Sequence, residues 1–258
     1  MIFLYFAILS FLPSIVWLLF FLKEDVRPEP NKTILKVFIH GMISTFPVLL
    51  IGIITSYILR EMDIPLFAIM LIQVVFIAAV TEEFVKYMVV KYSVLNSPEC
   101  DEPVDIMIYA ITAAMGFAAL ENILFLFPIK EFLAAVSVST PMLIDNSLSI
   151  NDAVIGSLIR FMSGTFLHAL VSGIMGYYIA ISILNDKKRK ILIVKGLVIA
   201  MLLHGLYNSS IIMSETNEWF LSLAPAILIT LFLVVFLCFS KLRSMPSICK
   251  LENDETRR

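Results

Sequence analysis

The chain has 258 residues, of which 60% are hydrophobic and 16% charged, with a mean hydropathy of +0.94. Soluble domains run at roughly half apolar and a quarter charged, so this excess excludes an ordinary soluble enzyme and points to lipid as the solvent. The net charge of −2 comes with no basic tract carrying interleaved aromatics, which argues against a nucleic-acid partner.

Apolar stretches cover about residues 1–22, 35–59, 65–97, 104–128, 156–184, 191–213 and 220–240. Each has the roughly 20 residues that a helix needs to cross a bilayer, and none alternates as a barrel strand would. The predicted fold class is therefore all-α, a polytopic membrane bundle of about seven transmembrane helices. Residues 1–258 read as one membrane-embedded domain, with no internal repeat or separate soluble stretch. The first stretch has no basic start, and Leu18 to Phe21 offers no small residues for cleavage, so it reads as a retained span. Of the 19 Lys and Arg residues, only Arg60, Lys130 and Arg160 fall outside if the N-terminus is extracytoplasmic; the other sixteen fall inside or, for Lys86, within a span. This bias predicts a multi-pass protein of the cell membrane with a cytoplasmic C-terminus. The long connection from Ile129 to Ile155 then lies outside, as a plain linker or with a short interfacial helix over Glu131–Ser139. Cys100, Cys238 and Cys249 have no metal-type spacing and suit a reducing compartment.

Ionisable groups deep in a bilayer cost roughly 2.5–3.5 kcal/mol each on insertion scales, so a set of them requires a reason. The third stretch carries Thr81-Glu82-Glu83-Phe84-Val85-Lys86, in which Lys86 reaches back to either carboxylate along one helix face. The two glutamates diverge by about 100°, so one can be oriented by Lys86 while the other points into the bundle. A packing ion pair is the simpler reading, but two carboxylates beside one lysine leave a charge uncompensated. The fourth stretch holds Gly116-Phe117-Ala118-Ala119-Leu120-Glu121-Asn122, where small residues admit a neighbouring backbone next to Glu121. His168 follows Ser163-Gly164 in the fifth stretch. The sixth has His204-Gly205-Leu206-Tyr207-Asn208, with His204 and Asn208 one turn apart. One buried histidine is commonly a packing residue, and His40 is read that way; two beside three glutamates are not. Counted at 1.5 Å per residue, Glu82, Glu121, His168 and His204 all lie about 20–25 Å from the cytoplasmic ends of their helices, nearer the outer face.

Glutamate with two histidines from separate helices is the donor set of a catalytic zinc site, and a further carboxylate would serve as general base. A metal-free glutamate–histidine pair activating water is the other chemistry this set permits. Asn208 could donate to a developing oxyanion. Intramembrane carboxylates also mark transporters, but those usually show internal repeats and helices broken in both halves, and neither is legible here. A non-catalytic binder of membrane proteins is the third reading.

Taken together, Glu82-Glu83-x-x-Lys86, Phe117-x-x-x-Glu121-Asn122, His168 in a glycine-rich span and His204-Gly-x-Tyr-Asn208 resemble the PrsW family of intramembrane proteases, across the third to sixth spans (residues 65–213). The resemblance implies a membrane-embedded, metal-dependent hydrolase, distantly related to the CAAX prenyl endopeptidases. It implies Glu82, Glu83, His168 and His204 as catalytic residues, with Lys86, Glu121, Asn122 and Asn208 in support. Glu121, His168 and His204 are the implied ligands of a divalent metal, zinc by its chemistry, and analogy favours Glu82 as the base. Bacterial members are associated with site-1 cleavage of anti-sigma factors, so the expected partner is a single-span membrane protein cut near the extracytoplasmic face, in a stress response. Prenyl endopeptidases carry a histidine where this chain has Glu121, which argues against a prenyl-cysteine substrate.

Overall fold

The structure is a computed structural model that describes residues 2–25, 27–95, 97, 100–126 and 150–245. Its elements are α1 (Ile2–Leu22), α2 (Asn31–Ile43), α3 (Thr45–Arg60), α4 (Leu66–Leu71), a π-helical segment (Ile72–Ala78), α5 (Ala79–Ser93), α6 (Pro103–Leu126), α7 (Ile150–Met162), α8 (Gly164–Ile183), α9 (Arg189–Ser214) and α10 (Leu223–Arg243), with two short 3₁₀ turns. No strand occurs among the described residues, and seven helical stretches are long and apolar enough to cross a membrane. The predicted all-α, multi-pass architecture is thus observed. Cys249 and the interfacial helix expected over Glu131–Ser139 lie outside the described residues; Cys100 and Cys238 form no disulfide.

α6 is the axis of the bundle: 94% of its spanning window is buried, against 78% for the α7–α8 span and 22–33% for the other five. Two glycines bring the second span against it. A Cβ on Gly41 would overlap the Ala113 carbonyl, and one on Gly116 would overlap the Phe38 carbonyl. The two helices therefore meet backbone to backbone, the contact that small residues permit where lipid supplies no hydrophobic drive.

Continuous spans were expected from sequence, and here the structure differs. The second span breaks at Ser44, because Pro47 lacks the N–H that would bond the Ile43 carbonyl and its ring crowds that turn. The fifth breaks at Ser163, whose φ of −125° and ψ of −96° leave the helical region, and it begins at Ile150 rather than near 156. Trp17 staples this second break: its Nε1 donates to the Phe161 carbonyl at 2.8 Å, and its ring stacks between Phe161 and Phe166. Pro13 leaves α1 unbroken, and the Leu9 carbonyl it strands accepts from Ser157 Oγ at 2.7 Å. Arg160, counted above with the outer loops, lies within a spanning stretch; moving it leaves the charge bias intact.

At the face carrying the α1–α2 and α5–α6 turns, Arg27 pairs with Glu102 at 2.7 Å and Arg243 pairs with Glu24. Asp25 accepts from the Arg27 and Glu29 amides, Tyr109 donates to Glu29, and burial pushes the Asp25 and Glu29 carboxyls above their ordinary range. His40, read as structural, bonds Ser93 Oγ through Nδ1 at 2.7 Å.

The α2–α6 crossing gives the first prediction. Gly116→Leu forces the backbones apart and should lower the thermal stability of the purified protein by at least about 2 kcal/mol. Gly52→Ala, at a helical position with nothing within 4 Å, should leave it unchanged or raised.

Candidate active site

The third span enters its polar stretch through the π segment, whose extra residue per turn leaves backbone carbonyls without their α-helical partners. Asn208 Nδ2 takes up one of them, donating to the Val74 carbonyl at 3.1 Å. Gly205 lets α9 come this close, since a Cβ there would stand 2.8 Å from the Val75 carbonyl oxygen. The His204-Gly-x-x-Asn208 spacing thus seats α9 on the π segment and fixes where His204 faces α5.

On α5 the two glutamates separate as their 100° offset predicts. Glu83 is wholly buried and saturated: Oε1 accepts from Lys86 Nζ at 2.8 Å and His204 Nδ1 at 2.9 Å, while Oε2 accepts from Ser172 Oγ at 3.4 Å. Lys86, also wholly buried, reaches His168 Nδ1 at 2.8 Å and stands 4.5 Å from the centre of the Phe117 ring. Glu82 differs. Its Oε2 is buried without a hydrogen-bond partner, 3.5 Å from Lys86 Nζ, 3.8 Å from His168 Nδ1 and 3.9 Å from His204 Nε2.

These contacts assign both imidazole tautomers. An ammonium only donates, so His168 Nδ1 must accept; a carboxylate only accepts, so His168 Nε2 donates to Glu121 Oε2 at 2.8 Å. By the same logic His204 Nδ1 donates to Glu83, leaving Nε2 bare. Two unprotonated nitrogens, His168 Nδ1 from α8 (accepting from Lys86) and His204 Nε2 from α9, therefore face the Glu82 oxygen that has no hydrogen bond. Ligand atoms of Glu82, Glu83, His168 and His204 all lie within 4.8 Å of one another. Donors around a tetrahedral zinc stand about 3.4 Å apart, so the Glu82 oxygen, the open His204 Nε2 and, once Lys86 releases it, His168 Nδ1 form a set whose 3.8–3.9 Å spacings fit a divalent cation.

Glu121 is not in that group. It sits beyond His168, its side chain 31% exposed, with Oε2 shared between His168 Nε2 and Arg160. Asn122 is wholly buried and joins helices: Nδ2 donates to the Ser10 carbonyl and Thr165 Oγ1, and Oδ1 accepts from Arg160 Nε at 2.7 Å. Sequence reasoning missed Ser172 and Arg160. Ser172 lies one turn after His168, on the same face, and that spacing could have found it; Arg160 resembled a loop charge because its helix was started too late.

A helical membrane bundle with carboxylates and imidazoles gathered in its buried interior has the build of an intramembrane hydrolase. A family profile described as "PrsW family intramembrane metalloprotease" matches residues 29–239. The chain is 31% identical over 204 residues to "Protease PrsW" of Geobacillus kaustophilus (strain HTA426), covering 79% of this chain and 78% of the relative. It is 28% identical over 209 residues to "Protease PrsW" of Bacillus subtilis (strain 168), covering 80% and 81%. Against that of Clostridioides difficile (strain 630) it is 25% identical over 205 residues, covering 78% and 76%. No solved structure matches the chain. The chain belongs to the PrsW family of intramembrane metalloproteases: it is a membrane peptidase, and the family's description implies a metal.

Lys86 carries the next prediction. Lys86→Ala strands the Glu83 carboxylate in an apolar core and should destabilise the protein by about 3–5 kcal/mol in thermal or denaturant unfolding. Glu83→Gln combined with Lys86→Met should cost less than Lys86→Ala alone, because no charge is then left unpaired.

Proposed function

We propose that the protein hydrolyses a peptide bond of a single-span membrane protein near the extracytoplasmic face, with Glu82 as general base and zinc held through His168 Nδ1 and His204 Nε2. One observation carries this reading: a buried Glu82 oxygen without a hydrogen bond faces two unprotonated imidazole nitrogens beside the buried Glu83–Lys86 pair. Bound there, zinc would supply Lewis acidity and bring the pKa of a coordinated water to about 7. Glu82 is placed to take the proton of the attacking water and return it to the leaving amine. Glu83 orients His204, and Lys86 keeps Glu83 charged and His168 Nδ1 bare. Asn208, expected as an oxyanion donor, here fixes the π segment that presents α5. Glu121, expected as a ligand, takes a role one bond further out, since its carboxylate lies on the Nε2 side of His168 and is already held by Arg160.

Three observations support the substrate class. In the orientation with an extracytoplasmic N-terminus, Glu121 and His204 lie nearer the outer ends of their spans while Glu82 and His168 lie closer to mid-span, seventeen of 19 basic residues fall on the inner side or within a span, and the family resemblance points to anti-sigma factors. Breaks at Ser44 and Ser163 remove one argument against a carrier, but a carrier would not need a base facing two unprotonated nitrogens.

The test pairs cleavage with metal content. In cells producing a tagged single-span anti-sigma factor, Glu82→Gln should reduce formation of the clipped fragment by about 10²–10⁴-fold. Purified wild type should carry about one zinc per chain, and the His168→Ala, His204→Ala double variant none. Undiminished cleavage by Glu82→Gln would remove the hydrolytic role of Glu82; full cleavage by a metal-free preparation would replace zinc with the direct glutamate–histidine chemistry.

A further inference from the structure

Arg160 is the one cation outside α5 that touches this network among the described residues, and the peptidase reading gives it no task. It sits on α7, three residues before the helix break, with a side chain only 15% exposed. Its Nη2 pairs with Glu121 Oε2, the same oxygen that accepts from His168 Nε2, and its Nε donates to Asn122 Oδ1 at 2.7 Å. The guanidinium lies over the Phe125 ring, 5.5 Å from its centre.

The local backbone is shaped to hold this side chain. Without the break at Ser163, α7 would continue the line of α8, which carries His168. Gly164 follows at once, and a Cβ there would come within 3.0 Å of Arg160 Nη1. Trp17, donating to the Phe161 carbonyl, secures the bend from α1. Arg160 thus grips Glu121 and Asn122, adjacent residues on the axial helix, in the forked geometry that only a guanidinium offers.

We infer that Arg160 is a positioning residue of the peptidase: it clamps Glu121 so that this carboxylate takes the Nε2 proton of His168 and shares with Lys86 the selection of the tautomer whose Nδ1 is unprotonated toward Glu82. The inference rests on the proposed hydrolytic reading and extends it one bond outward. Glu121 is 31% exposed, so without Arg160 its carboxylate is free to turn to water, and His168 loses one of the two partners that select its tautomer, keeping only Lys86. Lys86 would then face an imidazole able to present N–H instead of a lone pair.

The experiment uses the full-length protein labelled with ¹⁵N-histidine, in micelles, with metal removed by a chelator for the spectra and restored for the kinetics. The chain has three histidines, so long-range ¹H–¹⁵N correlations, assigned with His168→Gln, isolate the His168 ring. Wild type should show Nε2 protonated and Nδ1 bare. Arg160→Ala should show mixed tautomers at His168 with His204 unchanged, and kcat should fall about 10–100-fold with KM little moved. Arg160→Lys, which keeps the charge and loses the fork, should fall between. A wild-type His168 spectrum and wild-type kcat in folded Arg160→Ala overturn the inference; so does loss of fold in both variants, which would make Arg160 a packing staple. Failure of the hydrolytic reading looks different, because Glu82→Gln would then retain cleavage whatever Arg160 does.

Discussion

A lysine ammonium can donate hydrogen bonds and never accept them, and the arrangement of the buried centre follows from where Lys86 donates. Because Lys86 is wholly buried, its partners must be acceptors, so Glu83 stands as a carboxylate and His168 turns a lone pair toward α5. Glu83 then has an oxygen left for the N–H of His204, and that choice bares His204 Nε2. Glu82, one residue earlier on the helix, is left with an oxygen that nothing satisfies. A buried carboxylate oxygen without a partner is costly in a structural ion pair and useful in a site that binds water or a cation.

The scaffold serves to bring three helices to that point. α6 supplies a rigid axis, packed through Gly41 and Gly116 against the second span. α9 is registered on the π segment through Gly205 and Asn208, which sets His204 opposite Glu83. α8 carries His168, and Asn122 bonds α6 to α1, α7 and α8 at the level of that ring. Irregular backbone is tolerated inside a membrane protein where neighbouring groups satisfy it, and three stranded carbonyls here are answered by named side chains. Leu9 has Ser157, Phe161 has Trp17 and Val74 has Asn208.

Much of this was legible in sequence because its physical cause is local. Span number follows from hydropathy, and the pairing of Lys86 with Glu83 follows from a three-residue spacing. The divergence of Glu82 from Glu83 follows from helix geometry. The family motif brought the histidines into the same frame, and their ligand atoms do converge. The break at Ser163 was not legible: no proline marks it, and it is stapled by Trp17 arriving from a distant helix. That error hid Arg160, a charge whose partners lie 38 and 39 residues away in sequence. Pro47 could have flagged the break at Ser44 but sits in a stretch whose hydropathy alone reads as continuous. The position of Glu121, outside the tight group though its motif ranks it with the ligands, is a matter of which side of one imidazole it occupies, and spacing does not specify that.

The central claim is that the bare nitrogens of His168 and His204 define the metal position, with Glu82 beside it. X-ray absorption at the metal edge of the zinc-loaded, purified protein addresses this directly. The account predicts the multiple-scattering signature of two imidazoles together with light oxygen neighbours, and loss of one imidazole contribution in Glu121→Gln only if His168 turns away. A first shell of oxygen alone, or one unchanged by substituting His204, would contradict it.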